Sequence, residues 1–303
     1  MHSINEMRAA CRAAKTAGRR LGFVPTMGAL HEGHLSLVRA ARKSCQSVAA
    51  SIFVNPTQFG PNEDFAKYPR TLERDQQLLE AEGVDMLFTP SPEEMYPPGA
   101  TTFVSVEGLS ERLDGASRPG HFRGVATVVA KLFNIAEPDA AFFGQKDAAQ
   151  CAVIRRMVRD LALPVEIQVC PIVRDADGLA LSSRNAYLSV PERKQALVLS
   201  RAVRRMAELY AQGEVRTNAL LSAGKSVLAE EPAVRLDYLE MVNPETLEPV
   251  ALMEARAQTL VAVAAYVGKT RLIDNILLGS NGVDPSSGFP ALVQARGSLP
   301  ISG

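Results

Sequence analysis

Over the first 170 residues the apolar positions alternate between two periods. Short apolar runs at 22–25, 47–54, 86–89, 102–106, 140–143 and 166–170 predict strands. Between several of them, apolar residues recur every three or four positions and predict helices over 34–43, 71–82, 124–136 and 148–161. Such alternation predicts an α/β fold, a parallel sheet with helices on both faces. Ligands of these sheets bind beyond the carboxyl ends of the strands. Chemistry is therefore expected in the loops after Val24, Val54 and Phe143.

The pattern changes after about Asn185. Ser189-Val190-Pro191-Glu192 reads as a helix start, with proline in the first turn. A long helical pattern runs to Tyr210, and a second covers 217–230. Three strand-like runs follow at 235–242, 259–267 and 271–278, with a turn at Asn243-Pro244-Glu245. The expected organisation is a large domain over 1–185, a smaller α+β domain over 186–279, and an aperiodic Gly/Ser/Pro-rich tail over 280–303, disordered or loosely docked.

Composition narrows the class. Lys+Arg and Asp+Glu are both 33 in 303 residues, which argues against a large nucleic-acid footprint. Cys11, Cys45, Cys151 and Cys170 are scattered and form no C-x-x-C pair, as suits a reducing cytosol. The N-terminus lacks a signal-peptide layout, and the longest apolar stretch, 260–267, is too short to span a bilayer. A soluble cytoplasmic protein, with no nucleic-acid or membrane partner, is expected.

The most informative stretch is Met27-Gly28-Ala29-Leu30-His31-Glu32-Gly33-His34, between a predicted strand and a predicted helix carrying Leu35, Val38 and Ala41 on one stripe. The first N–H groups of a helix lack partners, so such a junction binds anions. Residues three apart share a helical face. With a helix starting near Glu32, both imidazoles could reach a phosphate held there, and the helix dipole favours neutral, N–H-donating rings. A lone histidine is more often structural; this pair in this context reads as functional. A metal site is the rival reading. However, His-x-x-His supplies two ligands at most, and no third is obvious.

Other stretches extend the picture. In Phe143-Gly144-Gln145-Lys146-Asp147, glycine allows close backbone approach, Lys146 offers a cation, and Asp147 suits a helix cap. In Asp177-Gly178-Leu179-Ala180-Leu181-Ser182-Ser183-Arg184-Asn185, hydroxyls and a guanidinium follow a polar turn and could envelop a polyphosphate. Asn55, Gln58 and Gln150 offer amides to a small hydroxy acid. Arg118-Pro119-Gly120-His121-Phe122-Arg123 concentrates cations in a glycine-rich loop, whereas Glu63-Asp64 with Lys67 and Arg70 reads as solvated surface. No P-loop, G-x-G-x-x-G after a strand, or G-x-S-x-G is present.

Met27 to His34 resembles the H-x-G-H element of the nucleotidylyltransferase superfamily. Phe53-Val54-Asn55-Pro56-Thr57-Gln58-Phe59, Arg118-Pro119-Gly120-His121-Phe122, Phe142-Phe143-Gly144-Gln145-Lys146-Asp147 and Gly178-Leu179-Ala180-Leu181-Ser182-Ser183-Arg184-Asn185 resemble the pantothenate synthetase family, in that family's order. The resemblance extends to about Gly279. It implies a Rossmann-like nucleotide domain with a smaller C-terminal domain, which reads as a lid with Ser182–Arg184 at its hinge. It also implies ATP-dependent condensation of pantoate with β-alanine through a pantoyl adenylate, releasing AMP and pyrophosphate, a Mg²⁺ requirement and a homodimer. The family pattern gives ATP to Met27, Gly28, Ala29, Leu30, His31, Glu32, Gly33, His34, Gly144, Gln145, Lys146, Asp147, Val173, Leu181, Ser182, Ser183 and Arg184. His34 is implied as the acid; His31, Lys146 and Arg184 would join it in stabilising the reacting phosphate. Gln58 would bind pantoate and border the β-alanine site, and Gln150 would bind pantoate. The family often has Glu where this chain has Gln145. No Mg²⁺ ligand is assigned; Asp75 is the only carboxylate suggested. The apolar neighbourhood 48–54 is suggested for a dimer contact. A different nucleotidylyltransferase, a class I aminoacyl-tRNA synthetase-like enzyme and a non-catalytic nucleotide sensor remain alternatives.

Overall fold

A computed structural model describes residues 1–61, 63–253, 257–279, 282–284 and 287–289. It divides into two compact units, Met1–Gly144 with Gln150–Cys170, and Gln145–Ala149 with the chain from Pro171 onward.

The first unit holds α1 (Ile4–Thr16), β1 (Leu21–Thr26), α2 (Glu32–Ser44), β2 (Ser47–Ile52), α3 (Leu72–Ala81), β3 (Met86–Phe88), α4 (Pro92–Met95), α5 (Asp114–Ser117), α6 (His121–Ala136), β4 (Ala140–Gly144), most of α7 (Ala148–Asp160) and β5 (Glu166–Cys170). Its five strands are parallel, in the order β3-β2-β1-β4-β5. β1 and β2 are buried at almost every position, as expected when helices cover both faces of a sheet. Leu37, Val38 and Ala41 of α2 join Val24, Val48, Ala50 and Phe142 in one core cluster. The strand order reverses direction between β1 and β4, so the loop after β1 opens at the topological switch point.

One expectation needs correction here. Segment 102–106 is not a strand: its Val104 N–H is satisfied by the Thr127 hydroxyl at 3.0 Å, not by a strand neighbour. Within the neighbourhood 48–54, Val48, Ala49 and Ala50 are fully buried, whereas Ile52 and Val54 are half-buried. Helix α1 goes unread in the apolar pattern, although Ser3 and Glu6 form a reciprocal capping box at its start.

The second unit holds α8 (Val190–Ala211), α9 (Thr217–Leu228) and an antiparallel sheet of β6 (Val234–Val242), β7 (Thr259–Val267), β8 (Thr270–Gly279) and β9 (Gly282–Val283) in that order. Ala196, Val203 and Met206 of α8 and Leu220 of α9 pack with Leu239, Val261, Val263 and Ile276 of the sheet. The second unit takes up the chain again at Pro171 and includes 182–184. Most of the expected loose tail lies outside the described residues. Its described parts are docked: β9 pairs with β8, and Phe289 is buried.

Candidate functional site

The loop from β1 to α2 is shaped from beneath. Gly28 and Ala29 both have positive φ, at 82° and 51°. Asp75 of α3 is fully buried and accepts the Ala29 N–H at 2.8 Å, the Leu30 N–H at 2.9 Å and the Thr71 hydroxyl at 3.1 Å. Both carboxylate oxygens therefore hold the loop. Asp75 is a loop clamp, which corrects its suggestion as a Mg²⁺ ligand.

Helix α2 starts at Glu32 with His31 as its N-cap. The His31 Nδ1 accepts the Gly33 N–H at 3.1 Å, and the His34 Nδ1 accepts the His31 N–H at 3.3 Å. This is a capping box with imidazoles in place of the usual hydroxyl and carboxylate. The rings lie side by side, with centroids 4.1 Å apart. A ring that accepts at Nδ1 carries its proton on Nε2 when neutral. The Glu32 carboxylate turns to Arg39 of its own helix, which also pairs with Glu82.

Gln58 is presented by a 3-10 turn, Pro56–Gln58, that follows β2. Asn55 is buried, and its amide is fully engaged. Nδ2 donates to Gln58 Oε1 and to the Gly124 carbonyl, both at 3.1 Å, while Oδ1 accepts from the Thr57 and Tyr96 hydroxyls, both at 2.9 Å. Asn55 thus orients Gln58. The Gln58 Nε2 meets Met27 Sδ at 2.9 Å.

The Gln58 carbonyl is buttressed in turn. It accepts from His121 Nδ1 at 2.8 Å, and Arg118 Nη1 lies 3.0 Å from the other ring nitrogen. Arg118 makes two bonds to Glu63, at 2.6 and 2.7 Å. Burial, and after it the Arg118 charge, push the His121 pKa from 6.5 down to about 4. Burial opposes the Glu63 charge, but the hydrogen bonds and charge of Arg118 outweigh it and hold that carboxyl below its usual range. Glu63 is therefore part of an internal chain and not of the solvated run that its neighbours suggest. Arg123 stacks on Phe103 at 3.7 Å. Gln150 is half-buried in the first turn of α7.

In the second unit, Gln145, Lys146 and Asp147 form a 3-10 turn immediately after β4. Lys146 Nζ lies 3.4 Å from Asp147 Oδ1. Gln145 is buried and donates to Asn275 Oδ1 at 3.0 Å. Val173 and Leu181 face each other across a hairpin, the Leu181 N–H donating to the Val173 carbonyl at 3.0 Å. The expected turn at Asp177-Gly178 closes it, with Gly178 at φ 94°. Arg193 bonds to Asp177 and Asp175, and the Asp177 carboxyl is held below its usual range chiefly by that guanidinium. The Ser182 hydroxyl caps the turn Ser183–Tyr187 by accepting the Arg184 N–H at 3.2 Å.

His31, His34, Asn55, Gln58 and Gln150 belong to the first unit; Lys146, Val173, Leu181, Ser182, Ser183 and Arg184 belong to the second. Sequence reasoning missed Arg174, Asp274 and Asn275. The available signal was the polar pair Asp274-Asn275 interrupting an apolar strand. Among the described residues, no group of three or more His, Cys, Asp or Glu could hold a metal ion, and no helix is long and apolar enough to cross a membrane.

The family model for "Pantoate-beta-alanine ligase" matches residues 1–277. A pantothenate synthetase of Acidobacterium capsulatum is 70% identical over 261 residues, covering 86% of this chain and 87% of that one. That of Koribacter versatilis is 59% identical, covering 93% and 96%. Among solved structures, the pantothenate synthetase of Thermus thermophilus is 52% identical with a TM-score of 0.85, covering 91% of this chain and 97% of that one. The pantoate-beta-alanine ligase of Francisella tularensis, complexed with beta-gamma ATP and beta-alanine, is 35% identical with a TM-score of 0.75, covering 91% and 96%. A Rossmann-like sheet with its glycine turn at the switch point, an imidazole-capped α2 and this agreement over nearly the whole length put the chain in the pantoate–β-alanine ligase family.

Proposed function

We propose that this chain joins pantoate to β-alanine in two steps, with a pantoyl adenylate between them. A carboxylate is a poor electrophile, and its oxygen is a poor leaving group. One pantoate oxygen attacks the α-phosphorus of ATP, and the bond to the β-phosphate breaks to release pyrophosphate. The β-alanine amine then attacks the acyl carbon, loses a proton, and AMP departs with the former pantoate oxygen. Family membership supports the overall ligation, and the substrates named for the Francisella relative support the choice of ATP and β-alanine.

The observation that carries the adenylation step is the capped end of α2. With Nδ1 of each ring engaged by backbone, His31 and His34 have Nε2–H groups to stabilise charge growing on the phosphate. We assign His34 the leading part and His31 a supporting one. Lys146 and Arg184 supply cations for the same nucleotide. Met27, Gly28, Ala29, Leu30, Glu32, Gly33, Gly144, Gln145, Asp147, Val173, Leu181, Ser182 and Ser183 complete the ATP set. Gln58, oriented by Asn55, receives pantoate and borders β-alanine; Gln150 joins it at pantoate.

The described residues do not build a protein cage for Mg²⁺. We assign Mg²⁺ to the nucleotide itself, because this ion is often held through substrate phosphates and retained waters. A homodimer and a cytoplasmic location belong to the same reading. The location is supported by four buried cysteine thiols, of which Cys11 is pushed up to about 12 by burial.

The test is ATP–pyrophosphate exchange with pantoate present and β-alanine absent. Pantoate-dependent exchange is expected. Exchange driven by an amino acid instead, or tight ATP binding with no exchange at all, would overturn the reading.

A further inference from the structure

We infer that Asp274 and Asn275, neighbours on β8, are positioning residues that fix the two nucleotide loops of the second unit relative to each other. The inference rests on the reading that 144–147 and 181–184 hold ATP. Successive side chains on a strand point to opposite faces. Here one of the pair serves each loop.

Asn275 is 2% exposed and uses its whole amide on the turn that carries Lys146. Its Nδ2 donates to the Gln145 carbonyl at 3.0 Å and the Lys146 carbonyl at 2.9 Å, and its Oδ1 accepts from Gln145 Nε2 at 3.0 Å. The backbone on either side of the Lys146 nitrogen is thereby pinned. Asp274 is 3% exposed and binds the Arg174 guanidinium in two-pronged fashion, at 2.7 and 2.8 Å. Arg174 sits opposite Ala180 in the hairpin that leads into Leu181, Ser182 and Ser183, and donates to the Gly178 carbonyl at 3.1 Å. Two residues of the C-terminal segment close over it: the Ser287 carbonyl accepts from Nε at 3.0 Å, and the Phe289 ring lies 3.8 Å from the guanidinium carbon. The two halves are linked, because the Asn275 N–H donates to Asp274 Oδ1 at 2.8 Å.

A buried ion pair and a buried amide seldom stabilise a fold more than apolar packing of the same volume does. What they supply is direction. A buried group with every donor and acceptor matched tolerates few alternative geometries. A cation and a row of hydroxyls meant for one polyphosphate need that fixed geometry, since misplacement by an ångström is costly in rate.

Asn275→Ala tests this, with the two half-reactions assayed separately. Losing the two bonds to the loop carbonyls is expected to raise the KM for ATP in pyrophosphate exchange about tenfold, with the KM for pantoate unchanged. Conversion of preformed pantoyl adenylate and β-alanine to product is expected to stay within about twofold, because it needs no polyphosphate grip. If Asn275→Ala melts below the assay temperature, Asn275→Ser keeps a hydroxyl at that position and gives up the paired amide bonds. It is expected to show the same split at about threefold. Equal loss in both half-reactions, or an unchanged KM for ATP, would make the pair merely structural and overturn the inference. Lys146→Ala in the same assay separates the two levels. If it too leaves ATP binding unchanged, the assignment of the loop to ATP is what has failed.

Discussion

An imidazole that accepts a backbone N–H at Nδ1 has only Nε2 left to carry a proton, and this decides what His34 can do. It also makes His34 replaceable without loss of the fold, since a capping bond is worth about 1 kcal/mol. His34→Ala is therefore expected to remain folded and to lose about 10²–10³ of its adenylation rate, as removal of one transition-state donor does elsewhere. Pyrophosphate exchange and a thermal melt measured together check this, and wild-type exchange by a folded variant would remove His34 from the chemistry. His121 has a different signature. Its folded pKa, about 4, lies below the ordinary 6.5, so the unfolded chain takes up the proton first as pH falls. The stability it contributes is complete above about pH 6.5 and is lost progressively toward pH 4. His121→Gln keeps a donor for Gln58 and an acceptor for Arg118 but cannot titrate. Urea midpoints are expected to fall less steeply with pH across that window than those of the native chain; parallel slopes would refute it. At this scale the two histidines and Gln58 were legible because they interrupt apolar periodicity at a strand end. The loop-holding roles of Asp75 and Asn275 were not, because their partners include backbone amides and carbonyls, which leave no mark on residue spacing.

Helix α6 touches the turn that presents Gln58 through a glycine. A Cβ on Gly124 would stand 2.3 Å from the Thr57 carbonyl oxygen and 2.7 Å from the Gln58 Cα, distances that backbone atoms can relieve only by moving the turn. Gly124→Ala is expected to cost about 1–3 kcal/mol, the usual range for overpacking. Because the displaced atoms carry Gln58, the KM for pantoate is expected to rise while the KM for ATP stays near its original value. A melt with a KM split checks both parts, and a rise confined to ATP would argue against Gln58 as the pantoate contact. The elements themselves were largely readable: the observed strands and helices at 21–26, 32–44, 47–52 and 140–144 follow the two apolar periods closely. The failures have local causes. Helix α1 buries only Met7 and Cys11, too few to set a visible stripe, so its start was marked by Ser3 and Glu6 alone. Segment 102–106 has strand-like composition, but only its last residue, Val106, is buried.

At the scale of the whole chain, composition excluded more than it identified. Equal numbers of acidic and basic residues disfavoured a polyanion partner without pointing to a substrate. The division into units depends on contacts remote in sequence. The Gln145–Asn275 bond, which ties the turn after β4 to the second unit, spans 130 positions. That division sharpens the central claim about function. Of the groups proposed to bind phosphate, His34 belongs to the first unit and Lys146 to the second. If they stabilise one transition state on one nucleotide, their effects on it are coupled and removing both costs less than the product of the single losses, as for residues that act as a set. Groups serving different ligands would instead combine multiplicatively, since distant and independent sites add in free energy to within about 0.5 kcal/mol. A double-mutant cycle of His34→Ala and Lys146→Ala, read by pantoate-dependent pyrophosphate exchange, decides between the two. A double variant only modestly slower than the worse single variant is the expected result. Strict multiplication of the two losses would mean that the imidazole and the ammonium do not act together.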